Sequence, residues 1–272
     1  MTVSPATAAS PLISRLLRTT VRYMGARMRH TEGIWFLLAL VLAWSATAAL
    51  LPANHRYLFP SPETTAKALW ESGPELGLGT WSSFLILAPG YVLAVVAGVA
   101  WGILAGSTPW IHRLFTPFSR IAAPVPPTVY IPYAIALLPS FRASAIFVVF
   151  IGTFWPVFLN AASGAATVPQ HYRDNASVLG FTRWQYLRRV AFPAALPHIF
   201  SGMAIGLALS FILLTVAELF GANAGLGRFV QYYADFADYP RMVAGILYTG
   251  LVTFLSMAAL DCLRRRSLHW MY

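Results

Sequence analysis

The stretch Asp174 to Pro193, DNASVLGFTRWQYLRRVAFP, is a polar, arginine-bearing segment between two long apolar ones. Its grammar is that of two short helices meeting at a glycine. Pro169 suits a first helical position, and Gly180 suits the left-handed residue that ends a helix. Thr182, Arg183, Trp184 and Gln185 fit a capping box, with Gln185 three residues after the Thr182 cap. Pro193 lacks an N–H and biases Phe192 away from the helical region, so the second helix is expected to stop before it. Trp184, Leu187 and Ala191 share a face at helical spacing, and Arg183, Arg188 and Arg189 lie largely off it. Such an apolar stripe has to find a partner. The plainer alternative is a basic loop that only orients the chain.

The apolar flanks set the fold class. Of 272 residues, 58% are hydrophobic and 10% charged, against about 25% charged in ordinary soluble domains. No Asp, Glu, Lys or Arg occurs from Gly33 to Leu51, Leu76 to His112, Ala143 to His171, Val190 to Ala217 or Met242 to Leu260. Each run can hold a helix of about 20 residues, the length that spans a bilayer core. Ile121 to Phe141 is a sixth, less regular candidate. The expected fold is an all-α polytopic membrane protein with about six transmembrane helices and a cytoplasmic loop of two short helices. An even number of spans puts both termini on one side.

Basic residues say which side. Fourteen precede the first span, follow the second, lie in the 169–193 connection or end the chain, and five lie in the other connections. The positive-inside rule places both termini and residues 174–193 in the cytoplasm. The net charge of +10 is then a topology signal. Nucleic-acid binding is the alternative, but no aromatic-interleaved basic patch supports it. Residues 1–32 read as a cytoplasmic arm and not as a secretory signal, because no apolar core with a cleavage site follows the basic residues. Residues 33–51 read as a retained first transmembrane helix. Cys262 is the single cysteine, which excludes an internal disulfide.

Within the spans, small and irregular residues carry the remaining information. Gly90, Ala94, Gly98, Gly102 and Gly106 recur every four residues and form a ridge for close helix packing, within the chain or against a second copy. Gly202, Gly206 and Ser210 form another. Pro124, Pro126, Pro127, Pro132 and Pro139 forbid an unbroken helix from 121 to 141. Irregular backbone at membrane depth lines a wet cavity or is buried in protein, so Pro127 and Tyr130 are candidates for a substrate path. A proline-rich elbow leading into a short helix is the alternative. Trp155, Pro156 and Asn160 suggest a kink facing protein or water. Glu218 directly follows the run Val190 to Ala217. It is a candidate gate with the Gly225–Gly227 turn, and a purely structural hydrogen-bonding role is the alternative. Glu63 to Trp70 reads as a short surface helix.

The spacing Asp174-Asn175-Ala176, three residues, Gly180, nine residues, Val190-Ala191-Phe192-Pro193 resembles the EAA loop of ABC importer permeases. Asn175 departs from the first alanine of that pattern. The resemblance covers about residues 77–264, with the EAA-type loop at 169–193 and a tail at 265–272. Pro124-Val125-Pro126-Pro127 with Ile131-Pro132, and Ala217-Glu218-Leu219 with Gly225-Leu226-Gly227, are similar to nitrate, sulfonate and taurine permeases, and Trp155-Pro156-Val157 with Asn160 to nitrate and sulfonate permeases. It implies that Asp174, Ala176, Gly180, Trp184, Leu187 and Pro193 couple the chain to separate ATPase subunits. It further implies two ATP-binding partners, a second permease copy (a homodimer), an external substrate-binding protein and a small anion or acid as substrate. Two departures fall on the membrane part. Leu87-Ala88-Pro89-Gly90 lacks an arginine common there, and Leu138-Pro139-Ser140-Phe141-Arg142 replaces a Trp-Phe-Gly turn.

Catalytic constellations are missing. Lys67 is the only lysine and follows no glycine-rich run, so the chain does not bind ATP through a P-loop. No His-Glu-x-x-His helix or Gly-x-Ser-x-Gly elbow occurs. The chain is expected to be a transporter subunit and no enzyme, without cofactor or metal. An ion-coupled secondary transporter is the alternative from another class, but it would normally show intramembrane acids and inverted repeats.

Overall fold

The computed structural model describes residues 33, 35–52 and 58–271, and every strand or helix assigned among them is helical. The chain divides into two compact units, Met1–Thr65 and Ala66–Tyr272. In the first, α1 (Trp35–Leu50) is a shorter apolar helix among the described residues. The Trp44 indole donates to the Pro60 carbonyl at 3.0 Å. The Ser61 hydroxyl accepts from the Thr64 N–H at 3.2 Å and starts α2 (Pro62–Glu71), close to the surface helix expected over 63–70. The arm at 1–32 lies outside the described residues.

The second unit contains the long helices. Four are long and apolar enough to cross a membrane: α3 (Gly73–Ser107), α6 (Phe141–Ala166), the run Arg183–Gly221, and α11 (Tyr239–Ser267). The first and third expected spans are the shorter apolar helices. Between α3 and α6 the chain forms α4 (Pro109–Ala122), an irregular turn through Pro124 and Pro126, a 3₁₀ turn (Pro127–Tyr130) and α5 (Ile131–Leu137). The prolines explain the breaks. Pro109, Pro127 and Pro132 each sit in the first turn of their helix, where the missing N–H has no intrahelical partner to lose.

α6 is the centre of the unit, clasped between α3 and α9 (Phe192–Gly221). Both small-residue ridges face it. A Cβ on Gly98 would touch Val157, and one on Gly102 would meet Ala161 and the Phe158 carbonyl. On the other side, a Cβ on Gly202 would press on Asn160 and the Pro156 carbonyl, and one on Gly206 on Thr153. The α3 ridge is therefore spent within the chain. Backbones this close gain dispersion contacts, which hold helices together where lipid offers no hydrophobic contrast. Buried Ile86, Leu87, Val148, Val149, Phe211 and Leu214 fill the space between the three helices.

Candidate functional site

Two constructions lie at opposite ends of α9. The first is the quoted stretch. Pro169 is the N-cap of α7 (Gln170–Val178), so that helix opens one residue later than expected. Asp174 Oδ1 accepts from Gln170 Nε2 at 2.9 Å on the exposed side, while Ala176 is buried. Gly180 has φ +66°. Its N–H donates to the Ser177 carbonyl at 3.0 Å, and the Phe181 N–H donates to the Ala176 carbonyl at 2.9 Å. That pair of bonds is a Schellman termination. Nothing lies within 4 Å of where a Cβ on Gly180 would stand. The left-handed backbone, and not lack of space, is what asks for glycine.

The Thr182 capping box is complete. The Thr182 hydroxyl accepts from the Gln185 N–H at 3.3 Å, and Gln185 Oε1 accepts from the Thr182 N–H at 2.8 Å. α8 (Arg183–Tyr186) follows, but the helix does not stop before Pro193. It widens into a π turn (Leu187–Ala191), in which the Phe192 N–H donates to the Leu187 carbonyl, and continues as α9. Inside a regular helix, a proline ring collides with the carbonyl four residues back. The wider turn just before Pro193 provides a different hydrogen-bond register there.

The expected stripe divides. Ala191 and, partly, Leu187 pack inward on Ile103, Ala161, Ala165 and Ile199, whereas Trp184 is 69% exposed. Val178 and Leu179 are exposed at the tip. Two arginines brace the bend. Arg189 lies over the Phe181 ring at 5.9 Å. Arg183 Nη2 donates to Thr108 Oγ1 at 2.6 Å, tying α8 to the buried corner between α3 and α4.

The second construction surrounds Glu218, whose side chain is fully buried near the other end of α9. Ser83 Oγ donates to Oε1 at 2.6 Å, and the Gly227 N–H donates to Oε2 at 2.6 Å. Ser83 Oγ in turn accepts from the Leu226 N–H at 2.9 Å. α10 (Leu226–Asp235) has Gly225 as its N-cap and no capping side chain of its own. Glu218 and Ser83 satisfy its first N–H groups from two other helices, and a carboxylate at a helix N-terminus also opposes the macrodipole. Gly225 has φ +153°, and a Cβ there would overlap the Glu218 carboxyl group. Ser82 Oγ donates to the Ala224 carbonyl at 2.9 Å, so α3 grips the turn twice. Farther along α10, the Tyr233 hydroxyl donates to Glu75 Oε2 at 2.9 Å. Desolvation, and then that carboxylate, raise the phenol above its ordinary value.

The other candidate path residues face different neighbours. Pro127 lies against α6 beside Gly152. Tyr130 closes the 3₁₀ turn and is half-buried. Trp155 joins an aromatic cluster, 5.8 Å from Phe118 of α4 and 6.0 Å from Phe158. Asn160 Nδ2 donates to the Pro156 carbonyl of its own helix at 2.8 Å. Ser83 and Thr108 were not singled out from sequence. Their only signal was a hydroxyl inside or at the edge of an apolar run, and their partners lie 135 and 75 residues away.

A bundle of apolar helices with an exposed two-helix bend at one end is the architecture of a transporter's membrane subunit. The chain belongs to the family described as the binding-protein-dependent transport system inner membrane component, whose sequence profile matches residues 98–269. It is a permease subunit of an ABC importer. It is 35% identical over 180 residues to the nitrate import permease protein NrtB of Synechocystis sp., a match that covers 66% of each chain. It is 30% identical over 246 residues to the taurine transport system permease protein TauC of Escherichia coli, covering 88% of this chain and 90% of that one. Its fold matches a chain from inward-facing conformations of the MetNI methionine ABC transporter, with TM-score 0.62 and 17% identity over 72% of this chain and 98% of the other.

Proposed function

We propose that this chain forms the membrane path of an ATP-driven importer for a small anion or acid of the nitrate, sulfonate or taurine kind. In this reading ATP hydrolysis belongs to two partner subunits, an external binding protein delivers the substrate, and two copies of the chain enclose the path. The bend between α7 and α8 carries the proposal. Its backbone is fixed at Gly180 and Thr182, and its exposed Val178, Leu179 and Trp184 are free to enter a partner. Residues 77–264 are the permease part. Within it, Asp174, Ala176, Gly180, Trp184, Leu187 and Pro193 form or support the coupling surface. Pro127, Tyr130, Trp155 and Asn160 border the path, and Glu218 holds a gate. Both termini and the bend face the cytoplasm, by the distribution of basic residues. The relatives named for nitrate and taurine support the substrate class.

The test is reconstitution in vesicles with a P-loop ATPase and a binding protein encoded beside it. Uptake of nitrate or taurine should require ATP inside the coupling compartment and the binding protein outside. Uptake that follows an ion gradient and continues without ATP would replace this function with secondary transport. Orientation is tested separately by cysteine labelling from outside intact cells, where position 67 should react and position 183 should not.

A further inference from the structure

We propose that the cleft between α4, α6 and α7 is a headgroup site for an anionic phospholipid of the cytoplasmic leaflet. This rests on the orientation proposed above. The cleft holds about 530 Å³ and is lined by Gly106, Pro109, His112, Arg113, Ala166 and Arg173. A second cleft of about 330 Å³ adjoins it through His112 and Ala166 and adds Arg120, Ser163 and Thr167. None of the described residues that line either one is acidic. The nearest acid in sequence, Asp174, accepts from Gln170. Arg173 is held in place by donating from Nη2 to the Ala166 carbonyl at 3.2 Å, and its Nε is buried with no hydrogen-bond partner among the described residues. The ion pairs among the described residues involve Arg241 alone, so no described carboxylate pairs with Arg113 or Arg173.

The shared chemistry is that of a phosphate, free or on a lipid. α4 selects the lipid. Trp110, Leu114, Phe118 and Ile121 form an exposed apolar stripe along it, while Ile111 and Ser119 are buried against the bundle. Arg113 and Arg120, two turns apart, flank that stripe. A helix with an apolar face edged by arginines lies at a headgroup boundary, and basic pockets between helices on the cytoplasmic side take anionic headgroups. A soluble phosphate would use the arginines and leave the stripe idle.

Thermal unfolding of the assembled transporter in detergent tests the assignment, with phosphatidylglycerol titrated against phosphatidylcholine and against soluble glycerol phosphate. Phosphatidylglycerol should raise the midpoint saturably, and the other two should not. Arg113→Gln should weaken the apparent affinity about fivefold, the effect of one basic residue near a charged surface. Arg113→Lys should keep most of it, and Arg265→Gln, the same charge change elsewhere on the chain, should keep all of it. Equal losses in Arg113→Gln and Arg265→Gln would show bulk charge attraction and overturn the site. Stabilisation by glycerol phosphate equal to that by the lipid would overturn the lipid assignment. An effect present in the isolated chain and absent in the assembly would make the cleft an ATPase contact and overturn it as well. Failure of an ATPase to copurify is a separate result, because the lipid titration of the chain alone still reads the cleft.

Discussion

Near one end of α9 a carboxylate is sealed from its surroundings and used by a hydroxyl and a backbone N–H at 2.6 Å each. At the start of the same continuous helix, Trp184 stands clear of the chain, and the bend is held by local backbone geometry and a few arginine contacts, among them the bond to Thr108. A buried network is all-or-none, because removing one member leaves its partners with desolvated, unpaired groups. An exposed bend loses little when one contact goes, because water replaces it. The first arrangement holds a single conformation, and the second leaves a partner something to grasp and turn. That division of labour is what the proposed function requires of a gate and a coupling element.

The contrast breaks first at Glu218. Glu218→Ala strands the Ser83 hydroxyl and the Gly227 N–H, at about 1–3 kcal/mol for each. The expected result is a thermal midpoint lowered by many degrees and ATP hydrolysis that no longer depends on substrate. Glu218→Gln keeps one acceptor and should lose about half as much. If Gln leaves both stability and substrate-stimulated hydrolysis at wild-type levels, the network neither locks nor gates.

Gly180→Val comes next. A β-branched residue at φ +66° costs about 1–3 kcal/mol of local strain, too little to unfold the bundle. The variant should insert into the membrane normally, yet lose the ATPase on purification or hydrolyse ATP without transport. Gly180→Asn should be milder, since asparagine tolerates the left-handed region. Normal copurification and transport in both would show that the turn does not set the docking angle.

Smaller effects separate the Thr108 bond from the Thr182 cap. Thr108→Val removes the acceptor for Arg183, for about 1 kcal/mol at a part-buried, charge-assisted bond. If that bond carries motion from α8 to the α3–α4 corner, transport per ATP hydrolysed should fall while copurification stays intact. Thr182→Ala removes the capping hydroxyl from an exposed helix start, for about 0.5–1 kcal/mol. It should slightly raise hydrogen exchange over 182–186 and change transport little. A larger transport loss from Thr182→Ala than from Thr108→Val would reverse the ranking of the two contacts.

Sequence carried the local half of both constructions. Gly180 and Thr182 were legible because a left-handed terminator and a capping box are decided within a few residues. Glu218 and Gly225 were legible as a rare acid and a glycine pair beside an apolar run. What was not legible depends on distance along the chain. Nothing near Ser83 or Thr108 announces partners so far away, and the α3 ridge could not say whether α6 or another copy would fill it. Pro193 misled for a different reason. Its rule concerns regular helix, and a π turn placed just before it satisfies the proline without ending the helix. The proline-rich 124–139 segment was readable as broken, but not as the particular sequence of 3₁₀ turn and short helix that the chain adopts.

The unbroken run Arg183–Gly221 has a mechanical consequence. Its irregularities, the π turn and Pro197, lie within its first half. Beyond Pro197 the helix is regular, and at 1.5 Å per residue Glu218 lies about 32 Å farther along. A tilt of only ~3° about that point would carry the carboxylate ~1.6 Å, enough to part bonds that are 2.6 Å long. Leverage of this kind converts a small angular displacement near the bend into release of the distant turn. α6, locked to α9 through Gly164 and Gly202, has to swing with it.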